Sequence, residues 1–189
     1  MTLRILVISD THGSLSHTEK ALESAGSFDE IWHLGDVLYH GPRNPLPEGY
    51  SPKELSSLLK KHRVKYIRGN CDADVDIRVL EIPEMPRIGM EFLGDVKILL
   101  VHGDQFEYEG GDPVSLAQAH GCSVVLFGHT HVPLAERCEG VLLLNPGSVS
   151  LPKSEVGPTF GIIDTDEEKF YLCSLEGKVL KEVMFVERE

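Results

Sequence analysis

The sequence predicts an α/β fold in which two packed sheets carry helices on their outer faces. Three observations predict it. The first half alternates apolar, β-branched runs with helix signals. The second half crowds short strands together, and five apolar runs stop at residues that ligate hard or borderline metals.

Residues 3–9 are apolar and β-branched and read as the first strand. Ser16-x-x-Glu19 offers a capping box for a helix to about Ser24, with Gly26 as its stop. Residues 31–34 are the next strand. Ser51-Pro52-Lys53-Glu54 gives a second capping box, with proline at the first helical position, for a helix to about His62. Residues 64–68 complete a β-α-β-α-β series, which favours parallel pairing under covering helices.

The second half changes character. Residues 91–93, Gly94-Asp95 and Val96–Val101 read as a hairpin with a tight turn. A short helix is expected near residues 113–120 and a strand at 123–127. Short strands follow at 134–137, Val141–Asn145, Thr159–Asp164, Lys169–Ser174 and 178–186, and imply a second, mostly antiparallel sheet. No break in composition divides the halves, so residues 1–189 are expected to form one domain. The long irregular stretch is 39–52, with four prolines and two glycines directly after Asp36. A rigid loop of that length is uncommon without a function.

Composition narrows the classes. A chain of 189 residues with 18 basic and 30 acidic side chains carries a formal charge of −12. Such a surface repels a phosphate backbone and argues against long nucleic acids. Bound dications would offset charge locally and admit a small anionic substrate. Cys71, Cys122, Cys138 and Cys173 are scattered without a C-x-x-C pair and read as reduced. Residues 1–9 are too short and poorly flanked for an export signal, and no apolar run approaches a membrane span of ~20 residues. The expected location is the cytoplasm.

The chemistry lies in five clusters: Asp10-Thr11-His12, Gly35-Asp36, Gly69-Asn70, His102-Gly103 and Gly128-His129-Thr130-His131. Strand ends carrying them would share one sheet edge. Carboxylate, imidazole and amide without thiolate suit a pair of divalent first-row ions better than structural zinc. Asp36 could bridge two ions, and two ions ~3.5–4 Å apart activate water and clamp a phosphate ester. Each cluster alone is commonplace, since Gly-Asn and Gly-Asp are frequent turns; five in order at the ends of apolar runs are not.

That order resembles the calcineurin-like metallophosphoesterase superfamily. Residues 35–50, 68–72 and Asn145-Pro146-Gly147-Ser148 are similar to the small bacterial YfcE-type phosphodiesterases, over essentially the whole chain. The resemblance implies a four-layer α/β/β/α sandwich of two mixed sheets, a homo-oligomer (dimer or tetramer), and hydrolysis of a small phosphodiester by a di-metal-activated hydroxide. The ions would be Mn2+ first, with Fe, Zn, Ni or Co as alternatives. It assigns one metal to Asp10, His12, Asp36 and His131, and the other to Asp36, Asn70, His102 and His129. Asp36, Asn70 and His129 would act in catalysis chiefly through the metals. Larger members carry histidine where Cys71 follows Asn70; Cys71 is a poor proton donor, or merely packs, so the general acid is unassigned.

Arg43 could reach a substrate phosphate or pair with a carboxylate across an oligomer interface. His40 is read as a ligand support or a loop cap, and Asp72 and Asp74 as orienting histidines or solvated. His17, His33, His62 and His120 are read as structural or surface residues. Two rivals stand beside the diesterase: a metal-retaining interaction scaffold resembling the retromer subunit, and a phosphomonoesterase or nucleotidase.

Overall fold

The computed structural model describes residues 2–186, so the ends of the expected 1–189 unit lie outside the described residues. Five strands and three helices lie in the first half: β1 (Arg4–Ile8), α1 (Leu15–Ala25), β2 (Glu30–His33), α2 (Pro52–Leu59), β3 (Val64–Tyr66), α3 (Asp74–Leu80), β4 (Ile88–Leu93) and β5 (Val96–Val101). Then come α4 (Asp104–Tyr108), α5 (Pro113–Ala119), β6 (Val124–Leu126), β7 (Leu134–Cys138), β8 (Val141–Asn145), β9 (Thr159–Asp164), β10 (Lys169–Ser174) and β11 (Val179–Met184).

Two mixed sheets result. One has six strands in the order β11-β10-β9-β1-β2-β3, and the other five in the order β4-β5-β6-β8-β7. Pairing within β1-β2-β3 and within β5-β6-β8 is parallel; helices make the crossovers except between β6 and β8, where the edge strand β7 lies between them in sequence. The predicted second sheet therefore needs correction. Strands β9, β10 and β11 join the first sheet, where β9 pairs antiparallel with β1, Ile5 opposite Ile163. An apolar alternation says which face a strand buries, but not which edge it finds.

Layering follows from the two-residue period of the strands. Ile5, Val7, Trp32 and Leu34 face Ile98, Leu100, Val124 and Leu126 across the space between the sheets. Leu6, Ile8 and Ile31 point the other way, onto Ala21, Leu55, Leu59 and Leu80 of the covering helices. On the far side, Leu99, Val101 and Val125 pack against Val114 and Ala117 of α5. Strands apolar on both faces are what sheets covered on both sides demand. The result is the α/β/β/α order.

Local signals were read with small errors. Ser14, not Ser16, caps α1 and accepts from the His17 amide, while Ser16 lies inside the helix and donates to the Glu48 carbonyl. Gly26 does end α1, at φ 71°. In α2, Ser51 bonds the Glu54 carboxylate instead of a backbone amide, and the helix stops at Leu59. Helices α3 and α4 have no counterpart in the sequence prediction; with seven and five residues, they span at most two turns, too few for a helical period to stand out.

Candidate metal centre

The five ligand clusters meet at one edge where the strand ends of both sheets converge. Reaching it takes unusual backbone. Asp10, His12, Asp36, His129 and His131 all sit at positive φ, between 46° and 63°. L-residues avoid that region at a cost of about 1–2 kcal/mol each, so the surrounding structure must impose it. Close approach does the same for two glycines: a Cβ on Gly69 or Gly128 would lie under 3.0 Å from Asp36 or Ser9 respectively.

Five of the seven predicted ligands are almost fully buried together: Asp10, His12, Asp36, His102 and His131. His131 Nε2 lies 3.2 Å from Asp10 Oδ1 and 3.2 Å from His12 Nε2. Asp36 presents Oδ2 to His12 Nε2 at 3.7 Å and Oδ1 to His102 Nε2 at 3.5 Å. The combinations Asp10–His12–His131 and Asp10–Asp36–His102 each bring three donor atoms within 4.8 Å, as does His12–Asp36–Cys71.

Each buried imidazole is held by its other nitrogen. Nδ1 of His12, His102 and His131 meets the carbonyls of Tyr39, Leu34 and Leu151 at 2.9, 2.7 and 2.5 Å. A carbonyl can only accept, so Nδ1 carries a proton and Nε2 points inward, where it offers its lone pair to an ion once any proton on it is displaced. Two inward atoms, Asp10 Oδ1 and His102 Nε2, are buried without a hydrogen-bond partner. Such orphans are costly unless a ligand satisfies them. The donor set thus fits divalent metal.

Charge is concentrated to match. Burial works against the Asp10 carboxylate, but the His131, His102 and His12 imidazoles outweigh it and hold Asp10 well below the usual range. Burial likewise opposes charge on His102, yet the adjacent Asp36 and Asp10 push its imidazole up to about 10. Protons here do the neutralising that a dication would do, and a dication would displace them.

The remaining two predicted ligands line the cavity but are not gathered as tightly. Half-buried His129 has its ring 5.2 Å from that of His102, while its Nε2 meets Glu107 at 2.6 Å. Asn70 is exposed, with Nδ2 3.4 Å from Cys71 Sγ. Burial, with Asp36 next in weight, pushes the Cys71 thiol up, so it stays protonated and a poor acid. Arg43 lines the same cavity of about 950 Å3 and donates to the Tyr108 hydroxyl at 2.5 Å.

Supporting residues correct several expectations. Asp72 orients no histidine: its carboxylate accepts from the backbone amides of Asp36, Val37 and Gly69, each at 2.8 Å. Asp74 is exposed and pairs with Arg68. His40 is edge-on to Tyr39 and Tyr50, with Nδ1 buried and unpartnered, and neither supports a ligand nor caps the loop through its ring. Asn145 and Ser148 do shape the turn beside the histidines, bonding the Gly128 and Asp10 carbonyls.

His33, read as structural, does more. Its Nδ1 accepts from the Gly35 amide and its Nε2 donates to Thr11 Oγ1, so one buried ring braces the residues beside Asp36 and between Asp10 and His12. Burial lowers its imidazole to about 3, which keeps it neutral for that pairing. Glu107 and Lys153, both lining the cavity, were also missed. Nothing local marks them; only the fold brings α4 and residue 153 to this edge.

The architecture and the strand-end cluster define a metallophosphoesterase. The calcineurin-like phosphoesterase superfamily domain matches residues 3–168, and the chain belongs to that family. It is 39% identical to Phosphodiesterase YfcE of Escherichia coli K12, over 87% of this chain and 89% of that one. The solved structure of the E. coli YfcE phosphoesterase superposes with a TM-score of 0.85 at 33% identity, covering 97% of this chain and all 100% of the other. Vacuolar Protein Sorting 29 from Cryptosporidium parvum shares the fold at TM-score 0.67 and 23% identity, over 97% and 98% of the two chains.

Proposed function

We propose that this chain hydrolyses small phosphodiesters with two divalent ions, manganese first, held by Asp10, His12, Asp36, Asn70, His102, His129 and His131. The observation that carries the reading is the pair of buried orphans, Asp10 Oδ1 and His102 Nε2, amid imidazoles whose Nδ1 atoms are already committed to carbonyls. The phosphodiesterase activity named for the E. coli relative supports the same choice. A homo-oligomer belongs to it through the resemblance.

When bound, divalent ions would lower the pKa of water and offset charge at phosphorus. The residues organise everything else. Asp36 turns one oxygen to His12 and the other to His102, which suits a bridging carboxylate. Two cations on the cavity wall, Arg43 and Lys153, would offer positive charge to a substrate phosphate, against the net charge of −12 of the chain as a whole. Glu107 holds His129 Nε2 at the cavity wall. Cys71 is a poor donor to a departing alkoxide, which favours substrates with good leaving groups.

The test is hydrolysis of bis-p-nitrophenyl phosphate by chelator-stripped protein before and after Mn2+ is added. Restored turnover supports the diesterase. Faster turnover of the monoester p-nitrophenyl phosphate would make it a phosphomonoesterase. Folded protein inactive with every divalent ion would favour the scaffold.

A further inference from the structure

A second cavity, of about 440 Å3, adjoins the metal-lined one, and Tyr39 and Cys71 stand in the wall of both. Its other walls are chiefly apolar: Leu38, Tyr50, Pro52, Ala73, Val75 and Val79. That volume falls within the range of about 300–1,000 Å3 typical of small-molecule sites. Val75 and Val79 on α3 are 59% and 39% exposed and Tyr39 42%, so apolar side chains face solvent along the groove.

The shared walls are anchored to the candidate ligands. The Tyr39 carbonyl accepts from His12 Nδ1 at 2.9 Å, and the Cys71 amide donates to Asp36 Oδ1 at 2.8 Å. A group lying against Tyr39 and Cys71 is therefore placed relative to the metal ligands by two hydrogen bonds. The Tyr39 and Tyr50 rings both stand edge-on to His40, at 4.8 and 5.4 Å, which fixes the aromatic side of the groove.

We propose that this groove binds a planar aromatic ring on one alcohol arm of the phosphodiester substrate, and so selects aryl or nucleobase-bearing diesters over small alkyl ones. The inference rests on the phosphodiesterase reading and adds the substrate class. Two tyrosine rings offer stacking and edge contacts that an alkyl arm would not use. The valines supply an apolar wall, and the shared residues Tyr39 and Cys71 set an occupant of the groove beside the metal-lined cavity, within reach of a substrate held there. The phosphate would occupy the first cavity while the ring lies past Tyr39.

The experiment compares two slowly reacting competitors of bis-p-nitrophenyl phosphate hydrolysis, methyl phenyl phosphate and dimethyl phosphate, on the Mn2+-loaded protein. In the natural sequence the phenyl compound is expected to inhibit about 10-fold more tightly. In Val79→Asp the preference falls to about one, because a hydrated carboxylate replaces part of the apolar wall that the ring would lie against. Val75→Glu, at a more exposed position, repeats the measurement should the first variant fold poorly. Binding is also read without metal or turnover: 2-naphthol added to metal-stripped protein should saturably shift the Val75 and Val79 methyl resonances.

A preference near one in the natural sequence, or one unchanged in both variants, overturns the inference while hydrolysis itself stands. Methyl shifts that track protein concentration without ligand would put a second copy in the groove and overturn it as well. Naphthol binding in a protein that hydrolyses no diester overturns the phosphodiesterase reading and the substrate assignment together.

Discussion

Replacing Asp72 by asparagine tests whether a carboxylate that touches no metal ligand's side chain nonetheless builds the centre. Oδ2 of Asp72 accepts from the Asp36 and Gly69 amides, and Oδ1 from the Val37 amide, all at 2.8 Å. An asparagine would turn its carbonyl oxygen to Asp36 and Gly69 and face its NH2 toward the Val37 N–H. One buried donor is then left unpaired, which costs about 1–3 kcal/mol. For a chain of this length that is a fall in Tm of about 2–12 °C. Asp36 and Gly69 lose charge-assisted bonds as well, so Mn2+ affinity should drop about 10- to 100-fold. Burial, and then the adjacent Asp36, push the Asp72 carboxyl up to about 6, so both assays belong well above that pH, where it is ionised. Thermal melts of stripped protein and calorimetric Mn2+ titrations supply the two numbers. An Asp72→Asn protein that melts and binds Mn2+ like the natural one would refute the bracing role.

Three further outcomes follow from the same geometry. His33→Phe should leave the buried Gly35 amide unpaired and cost the Thr11 hydroxyl the bond it accepts, though it still donates to the Val37 carbonyl, lowering stability by about 2 kcal/mol in urea unfolding, with Mn2+ bound more weakly. Gly69→Ala drives a methyl against the Asp36 backbone amide and carboxylate, and metal analysis after dialysis should find fewer ions per chain than in the natural protein. Asp36→Asn should abolish two-ion occupancy and turnover; full activity would remove Asp36 from the bridging position.

Much of the fold was legible because its signals are local. Strands buried on both faces read as continuous apolar runs, as at β1 and β5, and Gly94-Asp95 marks its hairpin by turn chemistry alone. Placing β9 to β11 was not legible. Thr159–Asp164 has the composition of a strand in either sheet, and the free edge of β1 decided between them. The centre divides in the same way. Asp10, His12, Asp36, His102 and His131 were found from residue type at strand ends, and they are the side chains that converge. Asp72 fits neither of its expected roles, because what it bonds is backbone, and an amide's direction leaves no mark on composition; His33 is structural as expected, but its partners, the Gly35 amide and the Thr11 hydroxyl, are set only by the fold.

The sequence by itself determined which chemistry is available: hard and borderline ligands, ordered along the chain, at the ends of strands whose apolar pattern demands two covered sheets. Those are properties of residue type and short period, and neither depends on distant neighbours. Only the tertiary structure decided how that chemistry is held. Left-handed backbone at five candidate ligands, lone pairs aimed inward by three carbonyls, and a groove joined to the centre through Tyr39 and Cys71 all arise between segments far apart in sequence. Packing alone brings such segments within reach, since a hydrogen bond needs both partners in place before it has a direction.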